Sequence, residues 1–105
     1  VMISEGAFDD VYNLSSVYIP DTVTSIENYA FASCHLTELT LPKNIKEIGF
    51  QAFGWCEITK LTLPEGIETI DAYAFYGCPI KNDFIVPRSL KSIGDKAFDL
   101  KIQNM

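Results

Sequence analysis

Three cysteines and one histidine are the side chains of this sequence with the most reactive chemistry. Cys34, Cys56 and Cys78 are each 22 residues apart, and His35 directly follows Cys34. Thiols can pair as a disulfide, bind zinc or, beside a histidine, act as a nucleophile. Each of these chemistries sets its own demand on spacing and on neighbouring residues.

The spacing favours buried thiols over reactive ones. A disulfide between neighbouring cysteines would leave the third over, and a zinc site would lack both a Cys-x-x-Cys pair and a second histidine. Neighbours in an extended chain point to opposite sides, so the side chains of Cys34 and His35 should not meet. We therefore expect a column of buried thiols acting as small hydrophobic residues, with His35 facing solvent.

Net charge and hydropathy further narrow the range of possible functions. The 105 residues carry a net charge of -6, which disfavours nucleic acid or an anionic membrane as partner, since both attract basic patches. No apolar run reaches the roughly 18 residues that a membrane span needs, and the first residues lack signal-peptide features. Acidic pairs such as Asp9-Asp10 and Glu65/Glu68 are typical of a solvated surface. We predict no enzyme activity, no metal and no cofactor.

One period runs through the whole chain. An Ala-Phe pair recurs every 22 or 23 residues, at Ala7-Phe8, Ala30-Phe31, Ala52-Phe53, Ala74-Phe75 and Ala97-Phe98. An Ile lies five residues before each of these Phe residues, and a Pro recurs at Pro20, Pro42, Pro64 and Pro87. Columns of this kind indicate a repeat, whose units bury their apolar residues only by stacking on one another.

Each repeat contains a short alternating segment. In Leu39-Thr40-Leu41 the side chains point alternately in and out, as in a strand, and Pro42 ends it because proline lacks the N–H of a continuing ladder. No helical periodicity is present. We predict one domain over residues 1–105 with about four and a half repeats, whose strands lie parallel and about 4.8 Å apart.

The repeat resembles a known family. Leu36, Leu39, Leu41 and Asn44 match the leucine-rich repeat, and the following Pro, Ala-Phe and Cys columns resemble its Treponema pallidum type, found in BspA-like bacterial surface proteins. The resemblance implies a right-handed, strand-dominated solenoid of the α/β class. A parallel sheet would form one face, a second extended wall would lie near Ile48, and tight or single-turn helical connections would lie at Ala-Phe.

The resemblance also implies a function and a location. Members are mostly exported proteins of the cell surface that mediate adhesion and protein–protein contacts, so a protein ligand, such as a host extracellular or matrix protein, is the expected partner. Two departures are visible: Thr22, Gly66 and Ser89 replace the Asn of the pattern, and Val11 and Lys101 replace its Cys.

Two surfaces are candidates for binding. The first consists of residues between the core columns of the strand segments, namely Tyr18, Thr37, Glu38, Thr40, Thr59, Lys60, Thr62 and Ile85. The second consists of aromatic residues at variable positions near the Ala-Phe turns, chiefly Trp55 and Tyr76, with Tyr12, Tyr29, Phe50 and Tyr73. These aromatics fit either a contact surface or a cover over the stack.

The sequence leaves three functions open. The leading prediction is a non-catalytic protein-binding or adhesion module, and the alternatives are a structural spacer in a longer stalk or a carbohydrate-binding surface of exposed aromatics. Repeats of this kind need polar caps, and none is evident here. We therefore expect either a piece of a longer array or end-to-end self-association through exposed edges.

Overall fold

The computed structural model describes residues 1–11, 13–80 and 86–98. Within these ranges the chain forms seven short strands and no helix. The strands are β1 (Met2–Ile3), β2 (Ser25–Ile26), β3 (Glu38–Thr40), β4 (Glu47–Ile48), β5 (Lys60–Thr62), β6 (Thr69–Ile70) and β7 (Ser92–Ile93). Each strand is only two or three residues long, so packing between repeats, rather than strand length, stabilises the arrangement.

The Ile column forms the larger sheet. Its five strands are all parallel, in the order β1-β2-β4-β6-β7, and each comes from the next repeat along the chain. The register places Ile on Ile, for example Ile26 beside Ile48 and Ile48 beside Ile70. The extended wall that the resemblance implies near Ile48 is thus present as a sheet.

The Leu column forms a second, smaller sheet. Strands β3 and β5 pair in parallel, with Leu39 beside Leu61. The resemblance implies a strand here in every repeat, but residues 15–19 of the preceding repeat do not pair with β3. Side-chain packing holds this segment instead, because Ile19 is buried in the core shared by both sheets. The corresponding segment with Asp83 and Ile85 lies outside the described residues.

The five repeated Phe side chains form one stack. Consecutive rings of Phe8, Phe31, Phe53, Phe75 and Phe98 lie 5.1 to 5.4 Å apart between centroids and within 8° of parallel. The three central rings are fully buried. Such spacing is typical of favourable aromatic contacts. The predicted alignment of the Phe column is confirmed.

Tight turns lie at the Ala-Phe pairs, and those at Ala30-Phe31 and Ala52-Phe53 connect a strand of the larger sheet to a strand of the smaller one. The residue before each Ala has a positive φ, as in Gln51 (50°) and Tyr73 (60°), and so does the residue two after each of the first four Phe residues of the column, as in Trp55 (64°). This left-handed conformation costs a non-glycine residue about 1–2 kcal/mol. Hydrogen bonds to the next repeat offset the cost, for example from the Phe53 amide to the Ala74 carbonyl at 2.8 Å.

The described residues therefore hold parallel strands and turns repeated at one period. The solenoid form and its right-handed sense, the count of repeats, the single domain over residues 1–105 and end-to-end association stay predictions.

Candidate functional site

The three thiols lie inside the stack, and each donates a hydrogen bond to the repeat before it. The Sγ atoms of Cys34, Cys56 and Cys78 are 3.1 to 3.2 Å from the carbonyl oxygens of Phe8, Phe31 and Phe53. None of the three forms a disulfide. Desolvation by burial raises the pKa of Cys34, and it raises the pKa of Cys56 to about 12. The predicted buried column is confirmed, and thiols held protonated in this way are poor nucleophiles.

The histidine lies apart from this column. His35 is exposed, with Nε2 3.6 Å from Oε1 of Glu57 in the next repeat, whereas the Cys34 thiol points inward to the Phe8 carbonyl. The two neighbours therefore face opposite sides, as the sequence predicts. Across residues 1–11, 13–80 and 86–98, no group of three His, Cys, Asp or Glu side chains is placed to hold a metal ion.

The first candidate surface is the outer face of the smaller sheet, which we call the strand face. Glu38 lies beside Lys60 and Thr40 beside Thr62 in the parallel register, and these four side chains are exposed. Thr37 is also exposed and Thr59 is half-buried, with its hydroxyl 3.4 Å from the Thr37 carbonyl oxygen. In the described part of the chain, no ion pair forms between Glu38 and Lys60. The strand face is therefore polar, with both charges open to solvent.

A groove adjoins the strand face on the side of the preceding repeat. It lies between residues 16–21 and 38–43 and has a volume of about 430 Å³. Tyr18 at its edge is 85% exposed, the most exposed of the large hydrophobic side chains described. Lys43 Nζ, from one lining segment, lies 3.9 Å from Asp21 Oδ2 of the other. The groove therefore combines a projecting aromatic ring with charged rims.

The second candidate surface is a continuous aromatic cluster. Its rings meet edge to face at centroid distances of 5.2 to 5.6 Å, in the order Tyr29, Phe50, Tyr73, Tyr76 and Trp55. Four of these side chains are half-buried by one another, while Trp55 remains 56% exposed. Trp55 is therefore the most exposed ring of the cluster, and whether these aromatics cover the stack or contact a partner stays a prediction. Tyr12 lies outside the described residues.

Comparison with protein families decides the identity of this repeat. The family model for the BspA type leucine rich repeat region (6 copies) matches residues 1–104. The chain belongs to the BspA-type leucine-rich repeat family. No curated protein and no solved structure matches it.

Family membership sets the general role of these surfaces. BspA-type leucine-rich repeats are generally non-catalytic and are typical of protein-interaction or surface modules. In the described ranges of this family member, no helix has both the length and the apolar character to span a bilayer.

Two features of this BspA-type repeat were not predicted from the sequence. Phe50 is one residue out of the Tyr29–Tyr73 column, yet its ring bridges these tyrosines at 5.5 and 5.6 Å. Gly77 seats the Trp55 indole, since a Cβ atom there would lie 2.5 Å from the ring. The first has no sequence signal. The second has one, because glycine replaces Trp55 at the same position of the next repeat.

Proposed function

We propose that this chain is a non-catalytic protein-binding module of an exported surface protein, built as a right-handed solenoid and used in adhesion. The strand face and the adjoining Tyr18 are the proposed contact surface for an extracellular or matrix protein. The exposure of Tyr18 carries the proposal, because a large aromatic side chain left in water beside an ordered sheet is typical of contact surfaces.

The fold beneath this surface supports rigid display. Leu39 and Leu61 fix the strand face from below, and hydrogen bonds tie β3 to β5. A partner would therefore order few side chains on binding, which lowers the entropic cost of association. The exposed charges of Glu38 and Lys60 would supply orientation rather than most of the affinity.

Carbohydrate binding is the second candidate, and the exposure of Trp55 favours it. The indole stands at the end of the aromatic cluster, where its ring can lie against the apolar face of a sugar. A structural spacer, the main alternative that the sequence leaves open, would need neither Tyr18 nor Trp55.

A binding experiment separates these functions. The purified chain would be titrated against immobilised extracellular-matrix proteins, alongside the variants Tyr18→Ala/Glu38→Ala, Trp55→Ala and, as a control on the larger sheet, Glu47→Ala. We expect the first variant to bind a matrix protein at least about tenfold more weakly, with the Glu47 control unchanged. Binding to none of these proteins, or equal loss in the control, would contradict the proposal. Loss in Trp55→Ala alone would favour the aromatic cluster instead.

A further inference from the structure

The junction between two repeats is open at one place. Between β3 and β5, backbone hydrogen bonds continue from Thr37, whose carbonyl accepts from the Thr59 amide, to Leu41, whose amide donates to the Thr62 carbonyl. Between residues 15–19 and β3, no backbone hydrogen bond is present. Bonds flank this gap at both ends, from the His35 amide to the Leu14 carbonyl and from Asn44 Nδ2 to the Asp21 carbonyl.

The gap exposes a defined set of backbone groups. Successive residues of a strand direct their N–H and C=O groups to opposite edges. Because Thr37 and Leu41 bond towards β5, the backbone groups of Glu38 and Thr40 point towards the groove, and no backbone partner meets them there. A strand edge with unpaired groups is a template for another extended chain.

The side chains around this edge suit a particular partner. Val17 and Leu41 contribute apolar lining to the groove, and the Tyr18 side chain beside them is 85% exposed. Lys43 is placed against Asp21 at 3.9 Å, whereas the Glu38 carboxylate has no cation partner in the described part of the chain. The groove therefore favours positive charge, in keeping with the chain's net charge of -6.

We infer that this groove binds an extended, basic peptide segment of a partner protein, which pairs with β3 as an added strand. Backbone hydrogen bonds from Glu38 and Thr40 supply affinity, Glu38 selects a basic side chain, and Tyr18 covers an apolar one. The inference rests on the proposed protein-binding function and names the class of partner segment.

Peptides of defined chemistry test the pairing on the unaltered chain. The probe is a hexapeptide of alternating lysine and valine, acetylated and amidated at its ends. It is compared with two N-methylated versions, one methylated at residues 1, 3 and 5 and the other at residues 2, 4 and 6. A hexapeptide of alternating glutamate and valine is the fourth peptide. Nuclear magnetic resonance titration gives each dissociation constant and shows which amides shift.

Backbone pairing predicts a distinct result. The unmethylated lysine peptide should shift the amides of Glu38 and Thr40, and at least one methylated version should bind about tenfold or more weakly, since it loses backbone hydrogen bonds while keeping its side chains. The glutamate peptide should also bind more weakly. Equal binding by all four peptides, or shifts confined to residues away from the groove, would overturn the inference.

A protein variant provides the matched comparison. Thr40→Pro removes the one N–H that faces the groove at this position, whereas Thr40→Val keeps it and changes only the side chain. We expect peptide binding to be lost in the first and retained in the second, with circular dichroism used to verify that both are folded. If Thr40→Pro is unfolded, the methylated peptides decide. If matrix proteins bind through Tyr18 but the lysine peptide does not bind, this inference fails while the proposed function stands.

Discussion

At the scale of single residues, the thiols have a structural role. Each S–H donates to the carbonyl of a Phe in the preceding repeat, so a cysteine gives a second donor to a carbonyl that already accepts from a backbone amide, while filling a small apolar space. The cysteine column was predictable from its period and from the absence of a second ligand. The carbonyl acceptor was not, since it depends on the turn geometry around Ala-Phe.

Alkaline pH should weaken the fold through Cys56. The folded chain keeps this thiol protonated to a pKa of about 12, against 9.0 for an ordinary thiol. Between these two pH values the thiol is protonated in the folded state and largely deprotonated in the unfolded state. The contribution of Cys56 to the stability of the fold is therefore complete below pH 9.0 and falls by about 1.4 kcal/mol for each pH unit above it.

The Cys56→Ser variant isolates this effect. Its hydroxyl can donate to the Phe31 carbonyl but does not titrate in this range. Urea unfolding from about pH 8 to about pH 11 should show the wild type losing stability more steeply than the variant. Parallel losses in the two proteins would contradict a buried, protonated Cys56.

The fluorescence of Trp55 reports on the packing of its indole against Gly77. A Cβ atom at Gly77 would lie 2.5 Å from the indole, whereas one at Gly6 would meet nothing within 4 Å. Both glycines have positive φ, 83° and 68°, so Ala strains both backbones by about 1–2 kcal/mol. We expect Gly77→Ala to lose more stability than Gly6→Ala and to red-shift the emission of this single tryptophan. Identical emission in both variants would show that Trp55 does not pack there.

At the scale of elements, we expect the Phe stack to contribute more to stability than the strands, each of which is only two or three residues long. Phe53 lies between Phe31 and Phe75 and is fully buried, whereas Phe8 at one end of the stack is 40% exposed. The stack was predictable, because the same residue type recurs at one spacing. The Leu sheet was less predictable. Residues 15–19 and residues 37–41 show the same alternation, but only residues 37–41 include a strand that pairs with another.

The position within the stack should set the cost of truncation. Phe53→Ala should lower the free energy of unfolding by about 3–5 kcal/mol, because it leaves a cavity between two rings. Phe8→Ala should cost less than half as much, since its ring already contacts water. Chemical denaturation of the two variants measures the difference. Equal costs would contradict a stack with a buried centre.

At the scale of the whole molecule, periodicity determines the interior and departures from it determine the surface. Ile, Phe and Cys repeat in register and fill one core. Tyr18, Trp55 and the gap beside β3 belong to single repeats, so no column identifies them. The core was therefore predictable from sequence, whereas the groove required knowledge of which backbone groups pair.

Contacts among the five Phe rings test the shared interior most directly. Nuclear Overhauser effects can be recorded on protein in which only phenylalanine is isotopically labelled, and single Phe→Leu replacements assign the signals. The account predicts contacts between successive rings only, running from Phe8 through Phe31, Phe53 and Phe75 to Phe98. Absence of these contacts, or a direct contact between Phe31 and Phe75, would contradict it.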